Sequence, residues 1–228
     1  MDVPSSMNNV IIKNLMNHTS GIPNYWSNNI ANNLDSILNF HYNNNSLLFE
    51  SNTNQEYCNS GYFFMGLIIE KVSGLSYNDF LKKNIFDKVG MNHTFVNAGE
   101  ECERAIGYDD NWNKNDYVIE TADGGIISCA SDLYLWDKAL IENLILSKKS
   151  KELMFEETKL VSGKIINYGL GWDIKEDNSN IVSHTGWLAS FGAYNQCDIE
   201  NGQFIILLSN RIRPELMGLL NEINENLY

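Results

Sequence analysis

Four short stretches hold the side chains of this 228-residue chain that could do acid–base or nucleophilic chemistry. They are His18-Thr19-Ser20-Gly21-Ile22-Pro23, Tyr57-Cys58-Asn59, Gly124-Gly125-Ile126-Ile127-Ser128 and His184-Thr185-Gly186. A hydroxyl nucleophile needs a neighbouring base, and the oxyanion it generates needs preorganised donors. Histidine brings a charge that switches within the physiological pH range. Each residue also has a plainer reading. Tyr57 fits a core aromatic with a satisfied hydroxyl, and His18 fits a residue that holds a turn. His41 and His93 read as surface or capping residues. Gly124 and Gly125 read as a turn, with Asp123 as its cap. Trp172 and Trp187 read as core or rim packing, although Trp187, beside His184-Thr185-Gly186, could line a pocket. Cys58 has no histidine beside it in sequence and reads as a small buried residue rather than a nucleophile.

The elements around these stretches are legible in the apolar spacing. GYFFMGLIIEKVSG carries Phe63, Phe64, Leu67, Ile68 and Val72 on one helical face, and Gly74 suits its C-terminal cap. SYNDFLKKNIF predicts a second helix, with Ser76 as N-cap and Asp79 three residues on. A third is predicted from Ser131 or Asp132 through LYLWDKALIENL, with Leu133, Trp136, Leu140 and Leu144 at helical spacing. A fourth starts at Pro214 and runs through ELMGLLNEINENL. Between the last two, NYGLGWDIKE, NIVSHTG, SFGAYNQCDIE and QFIILLSN read as strands, with Asn201-Gly202 marking a hairpin. The expected fold class is α+β: an antiparallel sheet with flanking helices and a helical lobe, in one domain spanning residues 1–228. Asparagine is abundant from Asn8 to Asn59, which predicts a polar, loop-rich stretch.

Composition narrows the function classes. Hydrophobic residues make up 43% and charged residues 20%, ordinary globular usage that excludes disordered and fibrous classes. Sixteen basic against 29 acidic residues give a net charge of −13, a field that repels nucleic acid and anionic membrane surfaces. Cys58, Cys102, Cys129 and Cys197 form neither a C-x-x-C pair nor a metal-ligand cluster, so free thiols are expected. No apolar run approaches the ~20 residues that span a bilayer, and MDVPSSMNNV has neither a basic nor an apolar leader region. No cofactor or metal is implied.

Taken together and in order, the four stretches resemble the class C β-lactamase and D-alanyl-D-alanine carboxypeptidase family of serine hydrolases, the penicillin-binding-protein fold. Tyr168-Gly169-Leu170-Gly171-Trp172 and Leu208-Ser209-Asn210 join the match, which runs from about Ile11 to the last helix. The resemblance implies acyl transfer on a small-molecule or peptide substrate: a peptide, ester or amide. It implies Tyr57 as general acid/base and Asn59 as a contact to a substrate amide. It also implies His184, Thr185 and Gly186 as a strand edge facing the substrate's carboxylate or carbonyl. Histidine where many β-lactamases carry lysine resembles the esterase and peptidase branches more than the β-lactamases.

The family's nucleophile is the serine of S-x-x-K, and no serine in these 228 residues is followed three positions later by lysine. Only 17 residues precede His18, too few for the family's first strands and nucleophile-bearing helix at ~3.3 Å and ~1.5 Å per residue. The expectation is therefore a C-terminal portion of the family fold, inactive by itself, marginal in stability and open to an N-terminal complementing segment. Two other readings stay open: a non-catalytic ligand-binding or interaction module, and a truncated gene product.

Overall fold

The computed structural model describes residues 3–28, 30, 33–96, 104–115, 117–211 and 222–223. Its helices are α1 (Ile12–Met16), α2 (Leu34–Asn43), α3 (Asn59–Ser73), α4 (Tyr77–Leu81), α5 (Asp87–Val89), α6 (Ala130–Ile141) and α7 (Lys148–Met154). The strands are β1 (Phe95–Val96), β2 (Ile126–Ile127), β3 (Thr158–Lys159), β4 (Ile165–Ile166), β5 (Asp173–Ile174), β6 (Ile181–Leu188), β7 (Phe191–Asp198) and β8 (Gln203–Ser209). The helices and the antiparallel sheet make the α+β arrangement expected from the sequence.

Helix α3 starts directly after Tyr57-Cys58 and stops at Gly74, whose left-handed φ of 72° only glycine adopts cheaply. Phe63 and Phe64 are buried in one core cluster with Leu15, Ile22, Tyr25 and Ile37. Val72 does not share that face. It is 83% exposed, because the whole last turn, residues 71–74, stands clear of neighbouring elements. The next helical run has the predicted cap, with the Ser76 hydroxyl accepting from Asp79 N–H at 3.1 Å. It continues from α4 through a wide π turn at Lys82–Phe86 into α5.

Two expectations are corrected by tertiary contacts. Helix α6 begins at Ala130, and the loop before β1 claims Asp132, whose carboxylate accepts from His93 N–H and the Thr94 hydroxyl. The helix ends before Asn143, which is left-handed at φ 57°, so Leu144 falls outside it and is 65% exposed. The asparagine-rich stretch is, as expected, mostly loop among the described residues. It contains α1 and α2, with Ile37, Phe40 and His41 buried at helical spacing. Several asparagines there cap backbone: Asn33 accepts from Ser36 N–H and Asn14 from Ile11 N–H. His41, expected at the surface, is 2% exposed and packs edge-on between Phe40 and Phe64.

The main sheet has the order β5-β6-β7-β8, all antiparallel, with His184 opposite Asn195 and Gly186 opposite Ala193. The predicted β7–β8 hairpin forms, but its loop is four residues long. The Asp198 carboxylate accepts the Glu200 and Asn201 N–H groups, and only Gly202 has positive φ. The C-terminal helix predicted from Pro214 lies outside the described residues, apart from Glu222 and Ile223. Among the described residues no helix is long and apolar enough to cross a membrane. Cys58, Cys129 and Cys197 are free thiols, and Cys102 lies outside the described residues.

Candidate active site

The turn carrying Tyr57 is held from below by His18. His18 sits left-handed at φ 60° and is 1% exposed, a strained and buried position for a polar residue. Its carbonyl accepts from Glu56 N–H at 3.0 Å and its Nδ1 accepts from Cys58 N–H at 3.1 Å, so the N–H groups of both residues beside Tyr57 end on one residue. The His18 and Tyr57 rings lie 4.2 Å apart. Gly21, in the same loop, has φ 75°, and a Cβ there would stand 2.1 Å from the Phe49 carbonyl oxygen, so no other residue fits.

Tyr57 is 51% exposed and faces a cleft of about 1360 Å³. Asn59, the first residue of α3, lines the same cleft. His184, Thr185 and Gly186 line it from β6, with the His184 ring 6.1 Å from that of Tyr57. Strand β5 pairs with β6 only at Val182 and Ser183, so His184 to Leu188 have no strand partner on that side among the described residues. All five site residues expected from the sequence thus border one cavity, although Gly186 lies 129 residues after Tyr57. Gly124 and Gly125 border it as well, and Trp187, 55% exposed, forms part of its rim, while Trp172 is buried in the core. The Asp123 carboxylate, expected as a turn cap, instead accepts from the Tyr25 hydroxyl at 2.6 Å and the Trp26 indole N–H at 2.8 Å.

The electrostatics separate proton donors from inert groups. Burial, and then the Asp173 and Asp123 carboxylates, push the Tyr57 hydroxyl above the ordinary tyrosine pKa, so it is protonated at neutral pH. Burial raises the Cys58 thiol, which donates to the Ile22 carbonyl, and this removes it as a nucleophile. Burial lowers His18 to about 4, and the nearby His184 adds to the effect, so His18 is neutral. Among the described residues no three His, Cys, Asp or Glu side chains gather to hold a metal ion.

Sequence reasoning missed Tyr168. Its hydroxyl stands 3.1 Å from His18 Nε2 and 3.2 Å from His184 Nε2, joining the floor of the cleft to its wall. The signal was present in Tyr168-Gly169-Leu170-Gly171-Trp172, but a tyrosine in a glycine-rich turn has no chemical meaning until its partners are known.

Comparison with known proteins bears on family and fold. The sequence pattern of the Beta-lactamase family matches residues 4–224. Penicillin-binding protein 4* of Bacillus subtilis (strain 168) is 36% identical over 232 residues, which take in 89% of this chain and 51% of that protein. The chain spans about half the length of the curated relatives it matches. A penicillin-binding protein from Bacillus halodurans superposes with a TM-score of 0.81 at 22% identity, covering 98% of this chain and 74% of the other. The octameric penicillin-binding protein homologue from Pyrococcus abyssi does so with a TM-score of 0.73 at 27% identity, covering 92% and 56%. With a matched pattern from one end to nearly the other and a shared β-lactamase/transpeptidase-like fold, this chain belongs to the Beta-lactamase family of serine hydrolases.

Proposed function

We propose that this chain is the cleft-bearing portion of a single-domain serine hydrolase that acts by acyl transfer on a peptide, ester or amide, and that by itself it does not turn over substrate. In this reading Tyr57 is the general acid/base and Asn59 contacts a substrate amide. His184, Thr185 and Gly186 form the edge along which the substrate lies. The observation that carries it is the convergence of these five residues on one cavity, with Tyr57 half-exposed to it.

Inactivity rests on chemistry rather than on shape. No serine stands three residues before a lysine, and Cys58 is no substitute. Tyr57 is also held protonated by its surroundings, and a base role requires a cation beside it to stabilise the phenolate. A complementing segment bearing S-x-x-K would supply both the nucleophile and that cation.

The test is intact-mass analysis after incubation with a penicillin as acylating probe, on this chain alone and with an S-x-x-K segment added in trans, using Tyr57→Phe as control. The expected result is no adduct alone, and a stoichiometric adduct on the added serine that forms more slowly with Tyr57→Phe. An adduct on the isolated chain that maps to one residue would overturn the inactivity. An adduct in trans that Tyr57→Phe leaves undiminished would overturn the role of Tyr57. The unpartnered edge of β6 beside the exposed Trp187 favours a second reading, a cleft that holds a ligand without cleaving it. Saturable penicillin binding with no adduct in either arm would select that reading.

A further inference from the structure

Residues 105–115 form a short hairpin outside the main sheet. Tyr108 bridges to Lys114 in antiparallel fashion, Asp109 N–H donates to the Asn113 carbonyl, and Asn115 N–H donates to the Gly107 carbonyl. The Asp109 carboxylate closes the tip by accepting the Asn111 and Asn113 N–H groups at 2.9 and 2.8 Å. Within that tip Trp112 is left-handed at φ 65°, a costly conformation for so bulky a residue, and its side chain is exposed. Such a conformation persists only where its surroundings over-determine it.

Those surroundings are the end of β8. Tyr108 N–H donates to the Asn210 carbonyl at 2.9 Å, and the Asn210 side-chain amide donates to the Ile106 carbonyl at 2.7 Å. Arg211, the next residue, reaches the tip. Its Nε donates to the Asp109 carbonyl at 3.0 Å, its Nη2 donates to the Asp110 carbonyl, and its Cζ lies 3.9 Å from the centre of the Trp112 ring. A planar fork meets two successive carbonyls and an aromatic face together, which a single ammonium does not. Ser209 braces the base of that arm, its hydroxyl donating to the Arg211 carbonyl at 2.7 Å and accepting from Arg211 N–H at 3.1 Å. The foot of the same hairpin belongs to the cleft, which Arg104 and Ala105 line together with Phe191 and Asn210. Gly107 permits the close approach, since a Cβ there would stand 2.9 Å from the Phe191 ring and 2.5 Å from the Asn115 carbonyl oxygen.

We propose that Arg211 is a positioning residue that fastens the 105–115 hairpin to the end of β8 and thereby holds one wall of the cleft in its substrate-binding shape. This rests on the acyl-transfer reading of the cleft and adds a residue that touches neither substrate nor nucleophile. Releasing the guanidinium frees the tip to leave its strained conformation, and the foot of the hairpin loses its seat against Phe191 and Asn210. Substrate binding weakens, while the acylation step, carried by groups on other elements, keeps its rate.

The test has two arms. The first is limited trypsin digestion of the chain, with mass spectrometry following cleavage after Lys114 relative to the other tryptic sites. Cleavage of a clamped loop requires local opening, so Arg211→Ala and Trp112→Ala should each raise that ratio about tenfold, the effect of losing one hydrogen bond to a charged group. Arg211→Lys should behave like Arg211→Ala, whereas Trp112→Phe keeps a ring under the guanidinium and should stay within about threefold of the parent. The Trp112 side chain is exposed, so its substitutions leave the core intact and answer the question even where an Arg211 variant fails to fold. The second arm is acylation by penicillin with the S-x-x-K segment added in trans, followed against penicillin concentration. Trp112→Ala should raise the half-saturating concentration about tenfold and leave the limiting rate within about twofold of the parent. A merely structural lesion would instead lower the amount of acylated protein at every concentration. A cleavage ratio unchanged in Arg211→Ala, Arg211→Lys or Trp112→Ala would overturn the clamp. A half-saturating concentration unchanged in a chain whose hairpin is released would overturn its hold on the cleft. A parent chain that is never acylated would refute the hydrolase reading, and the clamp then stands or falls on the cleavage ratio.

Discussion

His41→Leu is the substitution whose consequence the structure fixes most closely. His41 lies on α2, 2% exposed, against Phe40 and Phe64, and its Nε2 has no hydrogen-bond partner. Burial lowers its pKa from 6.5 to about 4. Between those values the unfolded chain binds a proton that the folded chain refuses. Stability is therefore complete above pH 6.5 and is lost as the pH falls from 6.5 through 4. The depression corresponds to at most about 3 kcal/mol at ~1.36 kcal/mol per pKa unit. Leucine fills a similar volume, removes the orphaned nitrogen and cannot titrate, so the variant should be more stable by about 1 kcal/mol at pH 7.5. Its advantage should then widen by about 2–3 kcal/mol on going to pH 4.5. His18 titrates with the same sign as His41. Asp137, raised to about 6, has the opposite sign, since its contribution is present below 3.8 and lost as the pH rises through 6. Both are common to the two proteins and cancel in the difference. Paired denaturant titrations at several pH values give that difference directly, and a gap that does not change with pH would refute the buried, neutral His41.

Three further outcomes are expected. Gly21→Ala should cost more than about 3 kcal/mol, because it adds left-handed strain to a collision with the Phe49 carbonyl, and an unchanged denaturation midpoint would contradict the loop geometry. Tyr25→Phe should cost ~1.5–3 kcal/mol by removing the hydroxyl that donates to the Asp123 carboxylate, whereas a loss below ~0.5 kcal/mol would show that bond to be idle. The isolated chain should melt broadly and aggregate through the apolar outer edge of β8, which pairs only with β7 among the described residues. Ile206→Lys on that edge should slow the aggregation seen by light scattering, and a sharp, high-temperature, reversible melt of the parent chain would refute the expectation.

The family resemblance was carried by local strings, and local strings fixed much of the architecture. Ser76 capping Asp79, Gly74 ending α3, and the hairpin turn between β7 and β8 depend on neighbours a few residues away, so their physics is written in short windows. The same holds for Tyr57 and Asn59, which flank the start of one helix. Misreadings arose where a distant partner decides. Val72 matched the apolar face of α3, but no element packs over the last turn. Asp132 suited a helix start, but His93 and Thr94 claim it. His41 read as a surface residue, but Phe40 and Phe64 enclose it in the fold.

The family, the order of the elements and the residue types that border the cleft are legible in short windows, because each of these is encoded in contiguous motifs. What those residues do to one another comes from the folded chain. It set His18 under Tyr57, it orphaned His41 in the core, and it placed Tyr168 between two histidines 166 residues apart in sequence. Desolvation and hydrogen-bond direction are properties of surroundings assembled from the whole chain, and no local window contains them.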